Sequence, residues 1–123
     1  MSEKAVTAPP APSCRQAGQT LYLSGQVGAD ANWVPVAGTF KDEVRQVFRN
    51  VESVLQSEGA FLHEIVHVRT YLADFADFTE FNEVWAEVFP DNPPARATVQ
   101  AGLHPPFRIE AEVVAHLGQD RQR

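Results

Sequence analysis

The chain has 123 residues, with 10 Lys and Arg against 16 Asp and Glu, so its formal net charge is −6. This length fits a single domain over 1–123 that needs neither disulfide nor metal, and the acidic balance argues against binding of nucleic acid through phosphate neutralisation. One cysteine excludes an internal disulfide. No apolar run reaches the ~20 residues of a membrane span, and residues 1–14 lack the apolar core of a signal peptide. We therefore expect a cytoplasmic protein with no membrane or nucleic-acid partner.

The first part of the chain is predicted to be extended. We expect an N-terminal arm over 1–15, because the prolines within 8–12 lack an amide donor and fix φ. A strand is predicted over 20–26, closing on Ser24 and Gly25. The turn-rich segment that follows is predicted to hold a short strand at 33–34.

A helix is predicted between Thr39, a capping hydroxyl, and Gly59, a helix terminator, because apolar residues recur at helical spacing between them. The next strand is predicted over 65–72. One of its faces would carry Val66, Val68, Thr70 and Leu72, and the other would carry Ile65, His67, Arg69 and Tyr71. Since this second face includes Ile65 and Tyr71, we expect another surface to cover part of it.

A second helix is predicted to begin at a capping box formed by Asp77 and Glu80, and to end at Pro90. Two further strands are predicted over 95–101 and 108–116. A polar tail over 118–123 follows. Two helices packed on one sheet make an α+β fold, and the uncovered face of the sheet favours an oligomer.

General catalytic motifs are absent from the sequence: it has no glycine-rich phosphate loop, no H-E-x-x-H and no G-x-S-x-G. His63 and His67 are four residues apart, but they lie where a loop enters a strand, so a helical pair of metal ligands is not supported. Cys14 is a lone thiol, and its sequence context gives little support for a catalytic role.

Arg96 is the first candidate site residue, because it follows a proline-stiffened loop and arginine can grip a carboxylate through two parallel hydrogen bonds. Pairing with a surface acid is the alternative. Glu110 and Glu112 alternate along a strand, so both carboxylates are predicted on the face away from the helices, together with Arg108. They could activate a water, pair with Arg69 or Arg108, or be solvated.

Five segments in register resemble the RidA (YjgF-type) family. They are YLSGQVG, RNVESVLQSEGA, IVHVRTYLADFADFTEFNEVWAEVF, PPARATV and IEAEVVA, and the resemblance covers residues 16–117. It implies a chorismate-mutase-like α+β fold, in which a mixed β-sheet carries two helices on one face. It also implies a homotrimer whose sheets surround a central barrel, with a cleft between each pair of subunits.

The resemblance implies an enamine and imine deaminase. Such enzymes hydrolyse reactive intermediates such as 2-aminoacrylate to 2-oxo acids and ammonia, with no metal and no cofactor. By position, Arg96 would hold the substrate carboxylate and Glu110 would lie near the attacking water. Ser24 and Gly25 would line the cleft, and Asn82 would be mainly structural.

The sequence departs from the family pattern at two positions that we expect to contact substrate. Ser13 stands where many members have a tyrosine, and Thr98 stands where many have a cysteine. The substrate preference is therefore open. A 2-aminomuconate-type deaminase and a non-catalytic trimer that binds small ligands are alternatives, and RNA cleavage is disfavoured by the net charge.

Overall fold

The computed structural model describes residues 10–118, which form one five-stranded sheet and two α-helices. The elements are β1 (Cys14–Ala17), β2 (Thr20–Val27), α1 (Phe40–Ser57), β3 (Ile65–Leu72), α2 (Phe78–Val88), β4 (Ala95–Gln100) and β5 (Ile109–His116). Short 3₁₀ turns precede β3 and α2. Within this part of the chain no helix is long and apolar enough to cross a membrane.

The sheet has the strand order β1-β2-β5-β3-β4. Only β3 and β4 run parallel; the other neighbours are antiparallel, so the sheet is mixed. Both helices pack on the same face, where the sheet and the helices share one apolar core. The predicted α+β fold, with a mixed sheet and two helices on one face, is confirmed.

Helix α1 begins with a complete capping box. The Thr39 hydroxyl accepts a hydrogen bond from the Asp42 amide at 3.2 Å, and the Asp42 carboxylate accepts one from the Thr39 amide at 3.1 Å. The carboxylate also lies in the first turn, where the helix dipole favours negative charge. Gly59 follows the helix with a φ of 75°, which glycine adopts without a steric cost. Both predicted helix ends are confirmed.

The start of the chain differs from the prediction. The predicted arm reaches residue 15, but Cys14 already begins strand β1 and pairs with Leu23 across an antiparallel ladder. Residues 1–9 of the arm and 119–123 of the polar tail lie outside the described residues. The predicted short strand at 33–34 is wrong, because the turn contains only an isolated bridge between Ala29 and Pro35, and Trp33 has a φ of 60°.

Two β-bulges also change the predicted strands. Strand β2 does not close on Ser24 and Gly25 but continues to Val27, with a register shift between Leu23 and Gln26. In β3 the register shifts between Ile65 and His67. An extra residue at a bulge turns the preceding side chain to the opposite face, so Ile65 lies in the core and not on the outer face.

The start of α2 is also different from the prediction. Asp77 is the residue before the helix, but its side chain makes no capping hydrogen bond. Its carboxylate instead accepts a hydrogen bond from the Arg108 guanidinium at 2.7 Å. The predicted capping box with Glu80 is therefore wrong, because a long-range ion pair occupies the carboxylate.

The outer face of the sheet is uncovered in the single chain. Tyr22 is 51% exposed and Val99 is 39% exposed on this face, and the partly buried Tyr71 lies between their strands. Exposed aromatic and aliphatic side chains on one continuous face are typical of an interface. The surface that we expect to cover this face stays a prediction.

Candidate active site

Arg96 lies on the helix side of the sheet. It is the second residue of the edge strand β4 and pairs in register with Val68, whose side chain is fully buried in the core. The guanidinium carbon is 5.0 Å from the Trp85 ring centroid, 5.2 Å from that of Phe81 and 5.8 Å from that of Phe78. Aromatic faces attract a cation at these distances, so α2 supplies an aromatic cradle for the guanidinium.

One side of the Arg96 guanidinium is anchored and the other is free. Nη2 donates a hydrogen bond to Asn82 Oδ1 at 2.6 Å, whereas Nη1 is buried and has no partner. Burial lowers the pKa of Arg96 from its ordinary value, but a guanidinium stays protonated in proteins. The expected structural role of Asn82 therefore takes a definite form: Asn82 orients the arginine. The unpaired Nη1 is the kind of donor that a carboxylate satisfies.

The guanidinium lies beside an open cavity of about 480 Å³, which we call the anchor cavity. It is lined by Phe75, Phe78, Arg96 and Thr98. The Thr98 hydroxyl is also buried without a partner. The cavity thus combines aromatic walls with two polar groups, which is typical of small-molecule sites of this size. Phe75 and Phe78 are not among the site residues predicted from the sequence. Both are exposed aromatics, Phe75 in the 3₁₀ turn before α2 and Phe78 at the first residue of the helix.

Glu110 lies on the opposite face of the sheet. In β5 the residues Ile109 and Ala111 are fully buried, and Glu110 and Glu112 alternate with them on the outer face, as predicted. The Glu110 carboxylate lies directly over Gly25, where an added Cβ would overlap it. Only glycine leaves room for this carboxylate. Burial, and secondly the charge of Glu112, raise the pKa of the Glu110 carboxyl.

The neighbours of the two glutamates differ from those predicted. Glu112 accepts a hydrogen bond from the Tyr71 hydroxyl at 2.5 Å, and no ion pair within residues 10–118 involves Glu110 or Glu112. Arg108 is not on the carboxylate face, because the strand begins only at Ile109. Its guanidinium instead stacks 4.9 Å from the Phe40 ring, on the helix side.

Ser13 and Ser24 lie beside Gly25 and Glu110. The Ser24 hydroxyl donates to the Pro12 carbonyl at 2.7 Å, and the Ser24 amide donates to the Ser13 carbonyl at 2.9 Å. These bonds tie the segment before β1 to the bulge of β2. Ser13 itself is exposed. We call Ser13, Ser24, Gly25 and Glu110 the Glu110 cluster.

The anchor cavity and the Glu110 cluster do not meet in one chain. Arg96 and Thr98 point to the helix side of the sheet, as their register partners Val68 and Thr70 do, whereas Glu110 points to the other side. They also lie on strands separated by β3. The structure therefore brings the predicted site residues together as two separate groups.

The remaining candidates take no part in either group. Burial raises the pKa of the Cys14 thiol, which makes it a poor nucleophile at neutral pH. The His63 ring stacks on Phe61 with their centroids 5.6 Å apart. Within the described part of the chain, no group of three or more His, Cys, Asp or Glu side chains could hold a metal ion.

Comparison with known proteins places the chain among relatives of similar length. Residues 5–117 match the family model described as endoribonuclease L-PSP. A 2-iminobutanoate/2-iminopropanoate deaminase of Dermatophagoides farinae is 38% identical over 101 residues, which cover 80% of this chain and 79% of the relative. A RutC family protein of Pyrococcus horikoshii is 36% identical over 103 residues, covering 82% of each.

Solved structures agree with these sequence matches. Yeast Mmf1 superposes with a TM-score of 0.84 at 33% identity, covering 94% of this chain and 92% of that one. RidA from an Antarctic Psychrobacter species also superposes with a TM-score of 0.84, at 28% identity and with 94% of each chain covered. The Saccharomyces cerevisiae relative that matches in sequence, 37% identical over 113 residues, is named as a mitochondrial protein.

Proposed function

The chain belongs to the endoribonuclease L-PSP family, which contains RidA, and on this premise we propose that it hydrolyses small 2-imino acids and their enamine tautomers to 2-oxo acids and ammonia. The observation that carries the proposal is the half-buried Arg96, which lines an aromatic-walled cavity and whose Nη1 has no hydrogen-bond partner. A relative at 38% identity is named as a deaminase of this kind.

The anchor cavity fits a small monocarboxylate. The substrate carboxylate would accept a hydrogen bond from Arg96 Nη1, and a short aliphatic side chain would pack against Phe75 and Phe78. Arg96 is the one cation among the described residues that line this cavity. A second carboxylate would therefore lie against apolar rings, which disfavours a dicarboxylate such as 2-aminomuconate.

We further propose that two copies of the chain build each site. Arg96 and Glu110 lie on opposite faces of one sheet, so they can share a cleft only if Glu110 comes from a neighbouring copy. Repeated head-to-tail contacts of this kind close into a ring. A homotrimer around a central barrel would bury the outer face that carries Tyr22 and Val99, and would form three such clefts.

Glu110 would assist the attack of water. The carbon of a C=N bond is already electrophilic, so the reaction needs an anchored substrate, a positioned water and a route for protons, and this proposal requires no cofactor. The Glu110 carboxylate takes a proton from water as the oxygen bonds to the imine carbon. It returns this proton to the nitrogen, which gives a carbinolamine. The carboxylate then takes the hydroxyl proton and delivers it to the amine as the C=O bond forms and the C–N bond breaks, so that ammonia leaves the 2-oxo acid. A raised pKa suits a group that must both take and return a proton.

A coupled assay tests the proposed activity. A serine or threonine dehydratase supplies 2-aminoacrylate or its homologue, semicarbazide traps the imine that escapes, and the full-length protein is added. Wild type should increase the untrapped 2-oxo acid, and Arg96→Ala should not. Arg49→Ala, which removes an exposed arginine on α1, is the matched control and should act like wild type. If Arg96→Ala is as active as wild type, Arg96 is not the anchor.

The same purified proteins distinguish the alternative functions. Binding of 2-oxo acids with no change in the trapping assay would favour a non-catalytic ligand-binding protein, and turnover of 2-aminomuconate alone would favour the longer substrate. The family description names an endoribonuclease, but the net charge of −6 gives RNA little attraction. Cleavage of a labelled RNA by wild type and not by Arg96→Ala would support that activity. A cytoplasmic location stays a prediction, given the mitochondrial relative.

A further inference from the structure

Three unpaired polar atoms occupy one corner of the fold. Within residues 10–118, the buried side-chain nitrogen and oxygen atoms without a hydrogen-bond partner are Thr70 Oγ1, Arg96 Nη1 and Thr98 Oγ1. Buried polar groups nearly always have partners, so each exception needs an explanation. Arg96 and Thr98 line the anchor cavity, but the fully buried Thr70 does not, and the proposed function leaves it unexplained.

Thr70 is the cross-strand neighbour of Thr98. The two are register partners in the parallel pair of β3 and β4, whose backbones are ~4.8 Å apart in a normal sheet. Threonine pairs at such positions can form hydroxyl hydrogen bonds across strands. Arg96 precedes Thr98 by two residues and so shares its face. The three residues therefore lie next to one another on the helix side of the sheet.

The hydroxyl of Thr70 is not needed for packing. Its strand neighbours on the same face, Val68 and Leu72, are fully buried and apolar, and Thr70 is fully buried as well. Valine has the same shape as threonine and would fill this position without an unpaired hydroxyl. The hydroxyl is therefore available for a hydrogen bond when a group binds in the cavity.

We propose that Thr70 is a positioning residue for the substrate carboxylate. When the carboxylate binds Arg96 Nη1, the Thr98 hydroxyl donates to its second oxygen. Thr98 Oγ1 can then accept a hydrogen bond from the Thr70 hydroxyl, which fixes the direction of the Thr98 proton. The chain of donors runs from Thr70 through Thr98 to the ligand, and each bond polarises the next.

This inference rests on the proposed site, and the test separates the two. Binding of 2-oxobutanoate to full-length protein is measured by calorimetry for wild type, Arg96→Ala, Thr98→Val, Thr70→Val and Thr70→Ser. Thr98→Val should weaken binding about tenfold, because a hydrogen bond to a charged group is lost. Thr70→Val should weaken it about threefold, because the Thr98 hydroxyl loses its orientation. Thr70→Ser keeps the donor and should bind like wild type.

The double variant, Thr98→Val with Thr70→Val, distinguishes a positioning role of Thr70 from a purely structural one. In the Thr98→Val background the Thr70 hydroxyl has nothing to orient, so adding Thr70→Val should leave the affinity unchanged. Thermal unfolding should show that Thr70→Val is at least as stable as wild type, because an unpaired buried hydroxyl is removed.

Two different failures can be told apart. If Arg96→Ala binds 2-oxobutanoate as wild type does, the proposed anchor site is wrong. If Arg96→Ala loses binding but Thr70→Val binds like wild type, or if the two threonine effects simply add, the anchor stands and the role of Thr70 is overturned. Equal loss in Thr70→Val and Thr70→Ser would also overturn it, because the hydroxyl would then not be the cause.

Discussion

Mixing two inactive variants tests whether each site is built from two copies. Arg96→Ala removes the anchor and Glu110→Gln removes the proton acceptor, so each variant alone should be inactive. In one chain the two residues lie on opposite faces of the sheet, so a single copy cannot use both. A cleft between an intact Arg96 on one subunit and an intact Glu110 on the next should be active.

The expected recovery follows from counting. In a ring of three subunits, each cleft takes its arginine from one subunit and its glutamate from the neighbour. After an equal mixture exchanges subunits at random, about one cleft in four receives both intact residues. The mixture should therefore recover about a quarter of wild-type activity in the coupled 2-aminoacrylate assay. Co-expression of the two variants with different affinity tags, followed by tandem purification, isolates the mixed rings. Every mixed ring of three has one intact cleft, so this purified sample should recover about a third of wild-type activity.

A second mixture provides the control. Wild type is mixed equally with a chain that carries both Arg96→Ala and Glu110→Gln. If sites are shared between subunits, about a quarter of all clefts are active. If each subunit holds a complete site, about half are active, and the first mixture shows no recovery. That second pattern, obtained with assemblies proved to be mixed, would refute the shared site and the trimer argument built on it.

Three further variants probe the two halves of the site. Gly25→Ala should lower kcat about tenfold or more and change KM little, because its methyl group displaces the Glu110 carboxylate but leaves the anchor cavity intact. Steady-state kinetics measures this effect, with Gly102→Ala as the control, because a Cβ added at Gly102 meets no other atom. Activity should fall as the pH drops through the raised pKa of the Glu110 carboxyl. Glu112→Gln should move this fall to lower pH, because it removes a negative charge that favours the protonated form of Glu110. An unchanged pH profile would contradict the interaction between Glu110 and Glu112. Arg96→Met should abolish deamination yet change the free energy of unfolding by less than about 1 kcal/mol. The substitution loses the cation–π contacts and one hydrogen bond, but it also removes a desolvated charge with an unpaired donor, and these effects offset each other. Chemical denaturation at fixed protein concentration measures this, and a loss above about 3 kcal/mol would make Arg96 a structural residue first.

Local chemistry explains why some elements could be predicted. The boundaries of α1 depend on a capping box and a glycine that lie within a few residues of the helix ends. The bounds of β3 follow from its own run of β-branched and aromatic residues. The bulges could not be predicted in this way, because a register shift depends on the partner strand. Ile65 shows the consequence: one extra residue moved it from the outer face to the core.

The candidate site shows the same division. Sequence alternation placed Glu110 and Glu112 on the outer face correctly. It failed for Arg108, because the strand begins one residue later and Asp77, distant in sequence, holds the guanidinium. The family resemblance marked Arg96, but neither its contact with Asn82 nor its aromatic cradle is visible from the spacing of residues. Long-range pairing decides these features.

The anchor cavity is recognisable mainly through hydrogen bonds that are not made. A guanidinium could lie at the surface, where water would satisfy every donor, but Arg96 is held under α2 with one nitrogen paired to Asn82 and the other left free. Burial of an unpaired donor costs stability, and the same low polarity strengthens its attraction for an anion. A preorganised arginine therefore loses little entropy when a carboxylate arrives. The features that make this corner a weak point of the folded chain are the ones that would suit it to the proposed binding of a small 2-imino acid.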